Sequence, residues 1–119
     1  MNLLITRGDL SGTANARELV GAEHGGLPVS LILVAHAPGA GPRLHRHPYA
    51  ELFVIHAGQA EFQIDDDRVV ATAGDITVAP AGAAHRFTNT GTGELRLTAI
   101  HPAPRFDTEW LEPDTSGTS

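Results

Sequence analysis

Between residues 29 and 100 the chain is a succession of short apolar and β-branched runs, each cut off by a turn-forming cluster, a rhythm that suits strands far better than helices. The runs cover residues 29–35, 52–55, 61–64, 69–72, 76–79, 86–88 and 95–100. Turn signals separate them: Pro38-Gly39-Ala40-Gly41-Pro42, Gly58, Asp65-Asp66-Asp67, Gly74-Asp75, Pro80-Ala81-Gly82 and the polar stretch 89–93. Many short strands at even spacing predict an all-β sandwich or barrel. Only residues 14–22 offer a helical turn. A length of 119 residues, 41% of them hydrophobic, suffices for one core, so residues 1–112 read as a single domain. Residues 113–119 carry nothing to bury and read as a disordered tail.

Two of the runs, 29–35 and 52–55, are apolar at both parities instead of alternating, so both faces of those strands should be covered. One face looks into a barrel. The outer face is covered either by a second subunit or by the chain's own N-terminal segment or the stretch around Phe106 and Trp110. The frequency of two-fold oligomers favours a homodimer.

Seven histidines accompany one tyrosine and one tryptophan, and three of them form a pattern with a glutamate. In an extended strand the spacing of His45 and His47 puts both imidazoles on one face, and Glu51 has the same parity. His85 follows the Pro80-Ala81-Gly82 turn and could close the cluster from a neighbouring strand. Three imidazoles and a carboxylate form a nitrogen and oxygen donor set suited to one divalent transition metal ion: Fe, Mn, Ni, Co, Cu or Zn. An octahedral ion would keep two positions open for water, dioxygen or a chelating substrate.

The residues around the cluster resemble both motifs of the cupin family. The first motif reads Gly39, His45, His47, Glu51 and Gly58; the second reads Gly74, Pro80, Gly82, His85 and Asn89. Every defined position matches, and the fifteen residues 59–73 between the motifs suit a small cupin. The resemblance implies a double-stranded β-helix, or jelly-roll, barrel with His45, His47, Glu51 and His85 as metal ligands. Gly58 and Gly74 should occupy turns of positive φ. Asn89 shares the parity of His85, so it either points inward or ends its strand by bonding its own turn.

Parity also proposes a substrate pocket. Phe53 and Ile55 share the face of Glu51, Phe87 shares that of His85, and Phe62 or Ile64 would join them from the next strand. Tyr49 could orient a ligand or bond a group behind the metal. His101, before Pro102, is the extra histidine placed near a barrel rim; His56 has the opposite parity to Glu51, and His36 lies at a strand end, which reads as solvated or interfacial. Arg43, Arg46 and Arg86 are close enough in sequence to recognise a carboxylate, or they are ordinary surface arginines.

Eight scattered basic and fourteen acidic side chains give a formal charge of -6, which argues against nucleic acid and for a small-molecule partner. The absence of cysteine excludes disulfides and thiolate chemistry. Neither a signal peptide nor a membrane-spanning run is recognisable, so the expectation is a soluble, cytoplasmic protein without membrane partners. Cupins catalyse many reactions, so the resemblance leaves function open. A metal-dependent enzyme, dioxygenase-like or isomerase/lyase-like, acting on a small chelating organic substrate is one reading. A non-catalytic binding or sensor module, in which the metal is structural or anchors a metabolite, is the other.

Overall fold

A computed structural model describes residues 3–113, so the expected tail lies outside the described residues except for Pro113, which is exposed. Eleven strands follow in order: β1 (Ser11–Thr13), β2 (Ala16–Leu19), β3 (Ser30–His36), β4 (His45–Arg46), β5 (Glu51–Ala57), β6 (Gln59–Ile64), β7 (Asp67–Thr72), β8 (Ile76–Ala79), β9 (His85–Asn89), β10 (Leu95–His101) and β11 (Glu109–Trp110). Short 3-10 turns at Arg7–Asp9 and Gly21–Glu23 are the only helical elements among the described residues. No helix among them is long and apolar enough to cross a membrane.

The strands form a six-stranded sheet in the order β1-β2-β3-β10-β5-β8 and a five-stranded sheet in the order β11-β4-β9-β6-β7. All pairings are antiparallel. This is the expected all-β jelly-roll barrel. Burial alternates along β5, β9 and β10, so each strand contributes one face to the interior. Phe53 (1% exposed) packs between Phe62 and Phe87 at ring separations of 4.9 and 5.7 Å, with Ile55, Leu95 and Leu97 around them. A fully buried phenylalanine of this kind contributes roughly 1.5–3 kcal/mol.

Gly58, in the turn from β5 to β6, has φ 87°, and a Cβ there would lie 2.7 Å from the Glu94 carbonyl oxygen. Both the dihedral and the close approach demand glycine. Gly74, at φ 95°, likewise has the positive φ expected of it.

The structure corrects two local expectations. Residues 14–22 do not form a helical turn: Ala16–Leu19 is β2, paired with β1 and β3, and only Gly21–Glu23 coils. Alternation explains this, because Ala16 and Glu18 face inward opposite Val34 and Ile32, while Arg17 and Leu19 face outward opposite Leu33 and Leu31. Nor does one extended strand carry His45, His47 and Glu51. β4 ends at Arg46, the chain bends through Pro48 and Tyr49, and β5 begins at Glu51 in the other sheet. Pro48 has no N–H to extend the β4 ladder.

The outer face of the six-stranded sheet is apolar. Leu19, Leu31, Ile100, Leu52 and Val78 form one cross-strand row, and Leu33, Thr98, Val54 and Ile76 form the next. Residues Ile5, Arg7 and Leu10 share a shallow depression with Leu33 and His56 on this face. Toward β8 the face stays open, with Ile76 63% and Val78 48% exposed. Phe106 and Trp110 do not fold over it; they lie at the cavity inside the barrel.

Candidate metal centre

The bend at Pro48 gives the site its shape, because it sends Glu51 into one sheet while His45 stays in the other. His85, on β9, is the direct cross-strand neighbour of His45. His47 sits in the bend. All four side chains are buried, and their ligand atoms lie within 4.8 Å of one another, so the cluster could hold a metal ion.

The imidazoles are oriented from behind. His45 Nδ1 lies 2.7 Å from the Arg43 carbonyl oxygen, His47 Nδ1 lies 2.8 Å from that of Asp107, and His85 Nδ1 lies 2.9 Å from that of Ala83. A carbonyl can only accept, so each Nδ1 carries the hydrogen, and in the neutral ring Nε2 is left with its lone pair. Those lone pairs converge on a carboxylate: Glu51 Oε1 is 3.0 Å from His47 Nε2 and 2.9 Å from His85 Nε2. Electron pairs so close in a buried space require a cation, either protons or a metal ion. His47 Nε2 and His101 Nε2 are both buried without an aligned hydrogen-bond partner, which fits a cation between the rings and the carboxylate.

Electrostatics follow this crowding. Burial, reinforced by the neighbouring His85 and His47, lowers the pKa of His45 to about 4 despite its bond to the Arg43 carbonyl. Burial also acts to lower His47, but Glu51 and the Asp107 carbonyl outweigh it and raise the group above its ordinary value. Burial would raise Glu51; contacts from His101, His47 and His85 outweigh it and hold the carboxylate well below its usual range.

His101, at the end of β10, is 1% exposed, and its Nε2 lies 2.9 Å from Glu51 Oε2, the oxygen not shared with His47 and His85. Its Nδ1 lies 2.6 Å from the Tyr49 hydroxyl, whose oxygen accepts from the Asp107 N–H at 3.2 Å. Asp107 thus orients His47 through its carbonyl and Tyr49 through its amide. Nothing in the local sequence marks that residue, because its contribution is entirely backbone.

A cavity of about 430 Å³ adjoins the cluster and includes Phe53, Phe87 and His101 in its walls. Ile55 and Phe62 belong instead to the packed core, and Tyr49 stands behind His101. His36, read from sequence as solvated or interfacial, turns inward to the cavity and stacks on Phe87 at 5.9 Å, because it shares the inward parity of Val34. Glu18 also lines the cavity, which sequence reasoning missed by giving β2 a helical period. His56 faces outward, within 2.8 Å of Thr98 Oγ1. Asn89 is buried and bonds Gly91 N in its own turn at 2.9 Å, besides donating to the His36 carbonyl at 3.0 Å.

None of the arginines considered for substrate recognition reaches the cavity. Arg43 lies over the Trp110 ring at 4.3 Å, Arg46 pairs with Glu109 at 2.6 Å, and Arg86 pairs with Glu112 at 3.2 Å.

A family model described as the cupin domain matches residues 32–101, which contain both motifs and every member of the cluster. The chain belongs to the cupin family. Protein SchB of Streptomyces halstedii is 37% identical over 85 residues, covering 71% of this chain, and the chain spans 58% of that relative's length. Among solved structures, an oxalate oxidase superposes with a TM-score of 0.76 at 24% identity over 92% of this cupin and 63% of its own chain. Lactobacillus farciminis oxalate decarboxylase, in a formate complex, gives a TM-score of 0.74 at 22% identity over 87% of this cupin and 34% of its own chain. At these identities the likeness is one of fold.

Proposed function

We propose that this cupin is a metal-dependent enzyme in which His45, His47, Glu51 and His85 hold one divalent transition metal ion and a small chelating organic substrate enters the adjoining cavity. The observation that carries this reading is that His45, His47 and His85 each give Nδ1 to a backbone carbonyl while the ligand atoms of these three and Glu51 lie within 4.8 Å of one another. That is the usual tautomer of a metal-binding histidine. A bound ion supplies Lewis-acid polarisation of a chelating substrate or, when redox-active, electrons for dioxygen chemistry. The protein's part is to hold the rings through the Arg43, Asp107 and Ala83 carbonyls, to fix Glu51 Oε2 through His101, and to exclude water with Phe53 and Phe87.

The donor set accepts Fe, Mn, Ni, Co, Cu or Zn. Bacillus subtilis oxalate decarboxylase, which shares the fold with a TM-score of 0.74 at 20% identity, has Mn(II) centres, so manganese is the first ion to test. The reaction is dioxygenase-like or isomerase/lyase-like. A second copy of the chain covers the open β5 and β8 end of the outer sheet face, where Ile76 and Val78 stand exposed.

Elemental analysis of the purified protein, followed by oxygen-consumption and product assays with iron, manganese and nickel forms across a panel of chelating acids, enols and catechols, tests the reading. One equivalent of metal and turnover of a chelator are expected. A metal-free protein that refuses added ions rejects it.

A further inference from the structure

The outer face of the six-stranded sheet ends in two unlike edges. On the β2 side, residues 3–5 are apolar and outside any strand, with Leu3 92% and Leu4 73% exposed, and they share a depression with Leu27. Beside them Arg7 and Arg17 line a depression of about 510 Å³ to which no carboxylate contributes. Among the described residues neither arginine forms an ion pair, although the chain has a formal charge of -6. On the β8 side Ile76 and Val78 stand open. Asp75, just before them, accepts from the Thr72 amide and hydroxyl of its own turn at 2.8 and 3.4 Å and pairs with no cation among the described residues. One edge thus offers uncovered leucines and unpaired cations; the other offers open β-branched side chains and a carboxylate without a counterion.

The register of the sheet shows how the two edges can meet. Arg17, Leu33, Thr98, Val54 and Ile76 are cross-strand neighbours in a single row. A two-fold axis running along the strands above the middle of the face reverses the strand order and keeps each row, so β2 of one copy meets β8 of the other. Arg17 then stands opposite the partner's Ile76, one residue from the partner's Asp75. The sheet alone is too small for such a contact. Four strand spacings of about 4.8 Å by about 20 Å of strand give a footprint of roughly 400 Å², half of the about 800 Å² that each partner contributes to a stable interface. The contact must therefore run past the sheet, and the exposed leucines of residues 3–5 lie where it would do so.

Resting on the homodimer reading, we propose that residues 3–7 of each copy lie across β8 of the other, Leu3 and Leu4 covering the partner's Ile76 and Val78 while Arg7 and Arg17 face the partner's Asp75. The arrangement is reciprocal, so each dimer makes the contact twice. It gives the leucines a cover and the two arginines a counterion.

The test uses the full chain, which has no cysteine of its own, with its oligomeric state and metal content measured first. Leu4→Cys and Ile76→Cys are made as separate proteins, one bearing a mass tag, mixed until subunits exchange, and oxidised with diamide. The mixed disulfide dimer is expected at least about ten-fold above that formed when Val70→Cys, exposed on the other sheet, replaces Ile76→Cys. Leu3→Ser combined with Leu4→Ser, at positions too exposed to endanger folding, should raise the dimer dissociation constant about 100-fold by sedimentation equilibrium, with metal content unchanged. A dimer whose affinity the serine pair leaves unchanged, or whose Leu4→Cys links no better to Ile76→Cys than to Val70→Cys, overturns the inference alone. A wild-type monomer at high micromolar concentration is seen in the first measurement and overturns the homodimer reading with it.

Discussion

His101 Nε2 lies 2.9 Å from Glu51 Oε2, whereas His47 and His85 both approach Oε1. The carboxylate thereby has one oxygen beside His47 and His85 and the other beside His101, with Tyr49 at 2.6 Å bracing that histidine. His101→Ala should weaken metal binding by about 10- to 100-fold, the usual cost of removing a group that orients a ligand. Tyr49→Phe should have a smaller effect in the same direction. Competition against a chromogenic chelator reads both; unchanged affinity in His101→Ala would separate that residue from the metal centre.

Loss of a ligand has a different signature. His47→Ala and Glu51→Ala should no longer retain a stoichiometric ion after dialysis, while His56→Ala, on the opposite face of β5, should retain it. Metal content by mass spectrometry decides. Retention in Glu51→Ala with loss in His56→Ala would reverse the assigned register.

The metal-free protein should lose stability on acidification. His45, lowered to about 4, stays neutral in the folded chain while the unfolded chain takes up a proton near the ordinary histidine pKa of about 6.5. Its contribution is present above pH 6.5 and is lost as the pH falls toward 4, on the order of 3 kcal/mol in all. His36, lowered by burial, acts in the same direction. His47, raised, has the opposite sign: its contribution is present below pH 6.5 and is lost as the pH rises through its folded value. Urea denaturation between pH 7.5 and 4 should therefore show a slope that His45→Asn reduces. An equal slope in wild type and variant would show that His45 is not the group responsible.

Phe53 joins the aromatic core to the cavity wall. Phe53→Ala should cost about 3–5 kcal/mol of stability, measured by urea unfolding, and Phe53→Leu much less.

The outer sheet face predicts association. Wild type should sediment as a dimer, and Ile76→Glu or Val78→Arg should yield a monomer with unchanged metal content, since both side chains point away from the centre. A wild-type monomer at high micromolar concentration would show that the face needs no partner.

The seven central strands were legible as short apolar and β-branched runs bounded by turn-forming clusters, and turn glycines such as Gly58 mark where ladders end. Both motifs could be read because His45, His47, Glu51 and His85 each donate a side-chain atom to the cluster. What escaped was carried by residues without such a signature. β4 and β11 are two-residue strands, too short to show any period, and β2 was obscured by helix-compatible alanine, arginine and glutamate. Glu18 went unnoticed with it. The support given to His47 and Tyr49 comes from the Asp107 peptide, which any non-proline residue could supply. The three nearby arginines are explained by partners distant in sequence: Glu109 for Arg46, Glu112 for Arg86 and the Trp110 ring for Arg43.

The dual use of the Asp107 peptide also bears on how the protein matures in a cell. His47 and Tyr49 emerge from the ribosome long before the residue that sets their orientation, and His45 acquires its β11 neighbour Trp110 later still. At ordinary translation speeds of roughly 5–20 residues per second, the early motif waits several seconds with its imidazoles free to turn. A nascent chain stalled before Asp107 would therefore carry His45, His47, Glu51 and His85 while lacking the peptide that orients His47 and Tyr49.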